Sequence, residues 1–134
     1  VKLKEVLETI NLRIEKLIDR DHCIGHAYFL KLQHRSNQKE GLIEVFCDNI
    51  IPLLQEYFYN DYPKIGLVLG KGFVSILEEE EQKVDFADFE AESSDDYLDR
   101  PLYRLVSKKE LAGDTEKGED ALRVALNTLL NKKG

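Results

Sequence analysis

Asp19-Arg20-Asp21-His22-Cys23-Ile24-Gly25-His26-Ala27-Tyr28-Phe29 interrupts the N-terminal half of the chain, and its reading decides how that half folds. Before it, Leu3, Val6, Leu7, Ile10, Ile14, Leu17 and Ile18 recur at spacings of three and four. That is one face of an amphipathic helix, with Arg13, Glu15, Lys16 and Asp19 on the other. The charged run breaks the period. Asp21 is placed to cap the next helix through its carboxylate, and Gly25 gives the backbone freedom that a tight turn needs. A short helix is expected over Ala27-Tyr28-Phe29-Leu30-Lys31-Leu32. The stretch is therefore a corner between two helices of a bundle.

Working outward, residues 34–38 are polar and are expected to form a loop. A long helical segment follows over residues 39–59, with Leu42, Ile43, Phe46, Ile50, Leu53, Leu54, Tyr57 and Phe58 as its apolar set. Pro52 cannot donate to a helical ladder and clashes with the turn before it. Because Asp48 and Asn49 are good capping types, the expectation is a helix ending near Asp48 and another restarting with Pro52 in its first turn. Tyr57, Phe58 and Tyr59 read as packing residues.

After Pro63 the period changes. Residues 65–69 and 73–76, joined by Gly70-Lys71-Gly72, read as strand, turn and strand. Residues 84–89 alternate in part, residues 102–106 read as a further strand, and the acidic residues 90–99 between them as a loop. A closing helix is expected from about Thr115 to Leu130, with Leu122, Ala125, Leu126, Leu129 and Leu130 on one face. The fold class is α+β. A helical bundle occupies residues 1–62, and a β-containing appendage with a small antiparallel sheet and a C-terminal helix occupies 63–134, the two expected to pack as one unit.

Composition narrows the function. The 134 residues suit a single domain with one core. The chain begins at Val1 and has no Met, so it is read as an excised piece of a longer protein. No run approaches the ~20 apolar residues that span a bilayer, so no membrane role is expected. Cys23 and Cys47 do not form a disulfide framework, and a cytoplasmic setting is the expectation. The net charge of −7 argues against a nucleic-acid-binding surface. Residues 76–99 hold eleven acids against the single base Lys83, so they carry −10 and the remainder sums to +3. The acidity is local.

His22 and His26 stand four apart with Cys23 between them, the spacing at which one helical turn can grip zinc. Gly25 interrupts that helix and no second half-site of closely spaced Cys or His exists, so no metal site is expected. A Cys–His nucleophile is equally unsupported, because no Gly-rich nucleophile turn surrounds either cysteine. The simplest reading makes Asp19, Arg20 and Asp21 a capping and ion-pair cluster, with Tyr28 and Phe29 in the core.

A second string, Asp48-Asn49-Ile50-Ile51-Pro52-Leu53-Leu54-Gln55-Glu56-Tyr57-Phe58-Tyr59, follows the first. In this order and spacing the two resemble the C-terminal lid region of the AAA+ module of McrB-like proteins, over residues 7–70. Those proteins are the GTP-driven subunits of methylcytosine-specific restriction systems. The resemblance implies a helical lid that closes over a nucleotide at its junction with an N-terminal AAA+ core. It also implies a parent protein that forms a homo-oligomeric ring, binds GTP and Mg, binds DNA and works with a separate nuclease subunit. Within the lid, the resemblance places Ile24, Gly25 and His26 nearest the nucleotide. Gly25 would let the backbone come close, Ile24 could cover a purine face, and His26 stands where many AAA+ relatives carry the sensor 2 arginine. Free N–H donors at a helix start suit an anion.

No Gly-rich phosphate loop followed by Lys and Ser/Thr is present, and no acidic pair ends an apolar strand to hold magnesium. This segment alone is expected to carry no catalytic residue, no cofactor and no DNA-binding role. The alternative is a stand-alone helical protein-interaction module with an acidic partner-binding edge.

Overall fold

The computed structural model describes residues 3–30, 32, 36–90 and 94–132, with residues 94 and 95 described by their backbone alone. Lys31 of the expected second helix and residues 34–35 of the polar loop after it fall outside the described residues, as do residues 91–93 of the acidic stretch.

Helix α1, Leu3–Leu17, buries Val6, Leu7, Ile10 and Ile14 as the spacing predicts. A 3-10 turn at Arg20–His22 follows, and its cap is Asp19 rather than Asp21, the Asp19 carboxylate accepting the His22 N–H at 3.1 Å. Asp21 lies within the turn itself, because Asp19 is the last extended residue before it. Helix α2 is short, Ala27–Leu30, and buries Phe29.

Helix α3, Gln38–Glu44, is capped by the Asn37 side chain. It runs on through a π-helical stretch, Val45–Ile50, into α4, Ile51–Tyr57. The expected stop at Asp48 and restart at Pro52 is therefore overturned. Leu42, Phe46, Ile50, Leu54 and Phe58 form one buried stripe, and breaking the helix would break that stripe. The π turn supplies what proline lacks: the Ile51 N–H reaches back to Phe46, so the ladder is already out of α register when Pro52 arrives without a donor. Asp48 stays exposed and pairs with Lys108 at 2.7 Å instead of capping. Of the aromatic trio, Phe58 is buried and Tyr57 half-buried, but Tyr59 is 92% exposed, a correction to the packing reading. Tyr59 and Asn60 both take positive φ, and this left-handed pair turns the chain away from α4.

The next correction is larger. Residues 65–69 are no strand; they lie in α5, Tyr62–Leu69. Asp61 caps it by accepting the Lys64 N–H, Pro63 sits in its first turn, and Gly70 at φ +88° stops it. Ile65, Val68 and Leu69 are buried while Leu67 is exposed, a helical rather than alternating pattern. Strand β1, Val74–Ile76, pairs antiparallel with β2, Tyr103–Leu105, in the register Val74 to Leu105. Among the described residues these two strands are the sheet, and residues 84–89 do not join it, leaving Phe86 52% and Phe89 83% exposed. The acidic stretch is not wholly loop, since Ser94–Leu98 forms α6.

Helix α7, Lys108–Ala112, was not anticipated. It opens with a capping box in which Ser107 and Glu110 bond each other's backbone. The closing helix α8 spans Ala121–Leu129 rather than starting at Thr115. Gly118 at φ +79° and the hydrogen bond from Thr115 N–H to Glu119 spend residues 115–119 on a turn, and Asp120 caps the helix.

One buried cluster joins α1, the α3–α4 helix, α5, β1, α7 and α8. Phe46 stacks on Phe73 with ring centroids 4.6 Å apart, and neither ring is more than 1% exposed. Arg13 donates to the Val68 carbonyl at 2.7 Å, fastening α1 to α5. At Gly72 a Cβ would stand 2.6 Å from Ala125 Cα, so only glycine lets the β1 approach lie on α8.

Candidate functional site

The turn between α1 and α2 is held from below by one side chain. Asn11 accepts the Ile24 N–H at 2.6 Å and donates to the Ile24 carbonyl at 2.9 Å, so both backbone polar groups of Ile24 are tied to α1. Cys23 adds a longer contact, its thiol reaching the Asn11 carbonyl at 3.6 Å. Ile24 is only 4% exposed, so its side chain belongs to the core and serves as an anchor for the turn. Gly25 and His26 are exposed. The His26 carbonyl accepts from the Phe29 and Leu30 N–H groups, which places His26 at the start of α2.

His26 stands where two grooves along α1 meet. One, of about 280 Å³, is lined by Leu3, Leu7, Phe29 and Leu30 with Lys4 and His26 at its polar side. The other, of about 450 Å³, continues past Leu12 toward Glu15 and shares Lys4, Leu7 and His26 with the first. An apolar floor beside an ammonium and an imidazole can take a planar ring together with a hydrogen-bonding or anionic group. The Glu15 end is acidic, so an anion is better placed toward Lys4, although Glu8 stands 3.9 Å from that lysine. Among the described residues, neither Arg13 nor Arg20 is aimed at the groove as a substitute sensor. Arg13 is committed to Val68, and Arg20 donates to Glu15 at 3.3 Å.

The structure does not bring His22, Cys23 and His26 together as ligands. The His22 ring bonds Asp19 through Nδ1 and meets Tyr57 edge-on at 4.9 Å, while Cys23 faces Asn11. Among the described residues no group of three or more His, Cys, Asp or Glu could hold a metal ion. Hydrogen bonding from His22 holds the Asp19 carboxyl below its ordinary range. Burial pushes the Cys23 and Cys47 thiols up, which makes both poorer nucleophiles. No helix among the described residues is long and apolar enough to cross a membrane.

Two residues of this site, Asn11 and Lys4, escaped the sequence reading, and Tyr57 was read only as a packing residue. Asn11 could have been found. It lies four after Leu7 and three before Ile14, on the buried stripe of α1, and a polar residue there needs a partner. Nothing comparable flags Lys4 or Tyr57.

Residues 2–66 match the family model described as McrB, alpha-helical lid domain. The matched interval takes in α1 to α4, the turn at residues 24–26 and the first half of α5. The resemblance drawn from the two quoted strings is borne out, with its bounds moved a few residues toward the N-terminus: this stretch is a McrB-like lid region. No curated protein and no solved structure matches the chain.

Proposed function

We propose that this McrB-like lid region closes over a guanine nucleotide held by an AAA+ core and passes the state of the site to neighbouring subunits of a ring. The observation that carries this reading is the lid match over residues 2–66. The exposed pair Gly25 and His26, set beside an apolar groove with Lys4 at its edge, supports it chemically. In this reading the groove shields the nucleotide from water, Gly25 permits close backbone approach, and the His26 ring offers a hydrogen bond in place of an arginine's permanent charge. Ile24 acts from beneath, as the anchor of the turn. GTP and magnesium belong to the core, which supplies the phosphate-binding and metal-binding groups that this chain's motifs lack. The parent would then serve a methylcytosine-specific restriction system together with its nuclease subunit.

The test uses the parent protein that contains this lid. Nothing lies within 4 Å of a Cβ built at Gly25, so Gly25→Val leaves the fold intact and crowds only what approaches from outside. It is expected to weaken nucleotide binding roughly tenfold, the worth of about 1.4 kcal/mol. His26→Ala is expected to lower turnover more than affinity, and Glu80→Lys to leave both alone. If Gly25→Val and His26→Ala bind and hydrolyse as the parent does, with unchanged circular dichroism, the turn is purely structural.

A further inference from the structure

We propose that residues 84–90 together with α6 form a docking surface for a partner protein that is basic around an apolar centre. This inference is independent of the nucleotide reading. The segment between the strands is closed at its base by Gln82, whose side chain donates to the Leu77 and Leu102 carbonyls at 2.9 and 3.0 Å and accepts the Leu102 N–H at 2.6 Å. The chain leaving that clamp is thus presented from a fixed point.

What it presents is apolar. Val84, Phe86, Phe89, Tyr97 and Leu98 are 44%, 52%, 83%, 51% and 50% exposed. Leu98 of α6 lines one shallow groove with Val84, so the two parts lie side by side. Uncovered aromatic side chains at this density are uncommon on a surface that meets only water.

The charge around them selects the occupant. Asp85, Asp88, Glu90, Asp96 and Asp99 are interleaved with the apolar side chains and are exposed. A second copy of this chain would bring the same acids face to face, and nucleic acid or an anionic membrane would be repelled likewise. A protein surface rich in lysine and arginine gains from both components. Arg100 already shows the contact, its guanidinium lying 5.0 Å from the centre of the Tyr97 ring.

The 134-residue chain can be titrated against two labelled helical peptides of equal length and charge, one of lysine and leucine, the other of lysine and alanine. The leucine peptide is expected to bind at least about tenfold tighter, and the double variant Phe86→Ser, Phe89→Ser to abolish that preference while retaining the weaker charge-driven binding. The variant Asp85→Lys, Asp88→Lys is expected to weaken both peptides, and added salt to do the same. Equal binding of the two peptides, a preference that survives loss of both phenylalanines, or binding of neither would overturn the proposal. Sedimentation showing concentration-dependent self-association that the phenylalanine double variant removes would assign the surface to a second copy instead.

Discussion

Asn11→Ala is the substitution that most directly tests how the turn at residues 24–26 is held. The structure gives the amide two hydrogen bonds to one backbone residue, at 2.6 and 2.9 Å, both partly shielded from water. Each is worth about 0.5–1.5 kcal/mol net, so losing both costs about 1–3 kcal/mol, with the upper end applying if the Ile24 groups find no water. A chain of 134 residues has an unfolding entropy on the order of 280 cal/mol/K, so a loss of about 2 kcal/mol lowers Tm by about 7 °C. Thermal unfolding followed by circular dichroism measures the global effect. Amide exchange at Ile24 measures the local one, because the freed N–H exchanges through local opening as well as through global unfolding.

Asn11→Asp is the informative companion. It keeps the acceptor for the Ile24 N–H but sets a carboxylate oxygen against the Ile24 carbonyl, where Asn11 donates. The folded variant therefore favours the protonated carboxyl, and its pKa is raised. Its stability is expected to be restored below the unfolded pKa and lost as pH rises through the folded one. An Asn11→Ala protein that melts within about 1 °C of the parent, with unchanged exchange at Ile24, would refute the view that this amide fastens the turn.

Two further predictions concern the second half of the chain. Gly72→Ala places a Cβ 2.6 Å from Ala125 Cα and 2.7 Å from Ala125 Cβ, both on α8 rather than on a flexible side-chain end, so it is expected to cost about 1–3 kcal/mol by urea denaturation. An unchanged midpoint would mean that the β1 approach and α8 are not packed as described. Hydrogen bonds from Arg104 at 2.8 Å and from Ser107 hold the Glu110 carboxyl at about 2, down from 4.5. Because the folded pKa is depressed, the pair's contribution is present above the unfolded value of 4.5 and is lost as pH falls toward 2. Both partners are largely in water, so that contribution is on the order of 1 kcal/mol or less. The stability gap between parent and Glu110→Gln should close over that window; a gap independent of pH would assign the pair no role.

What the sequence discloses of this fold follows the strength of its periodicity. Helix α1 is legible because Val6, Leu7, Ile10 and Ile14 recur over about two and a half turns, and no strand can bury that set on one side. Residues 65–69 are not legible in this way. Five apolar or small residues fit a buried strand and a buried helix equally, and the deciding signals were Asp61 and Pro63, whose cap and first turn belong to a helix start. The π turn before Pro52 has no local signature at all. Its cause is tertiary: the core rewards an unbroken stripe from Leu42 to Phe58 more than the local chemistry of Asp48 and Asn49 rewards a stop. Residues 84–89 fail in the opposite sense, since partial alternation is present but no strand among the described residues pairs with it.

The candidate site divides along the same line. Gly25 and His26 could be singled out only together with Ile24, through the resemblance to McrB-like lids, and the structure leaves those two exposed. Ile24 could not be assigned its anchoring role, because burial depends on α1 lying beneath it, and only the Asn11 contacts show that it does. The distinction has a mechanical consequence. Ile24 is sunk into the core with its backbone tied to α1 at both N–H and C=O, and α1 is tied in turn to α5 through Arg13 and Val68. The exposed tip of the turn is thereby fastened to the helices at both ends of the McrB-like stretch, the rigidity that the proposed closing over a nucleotide would need.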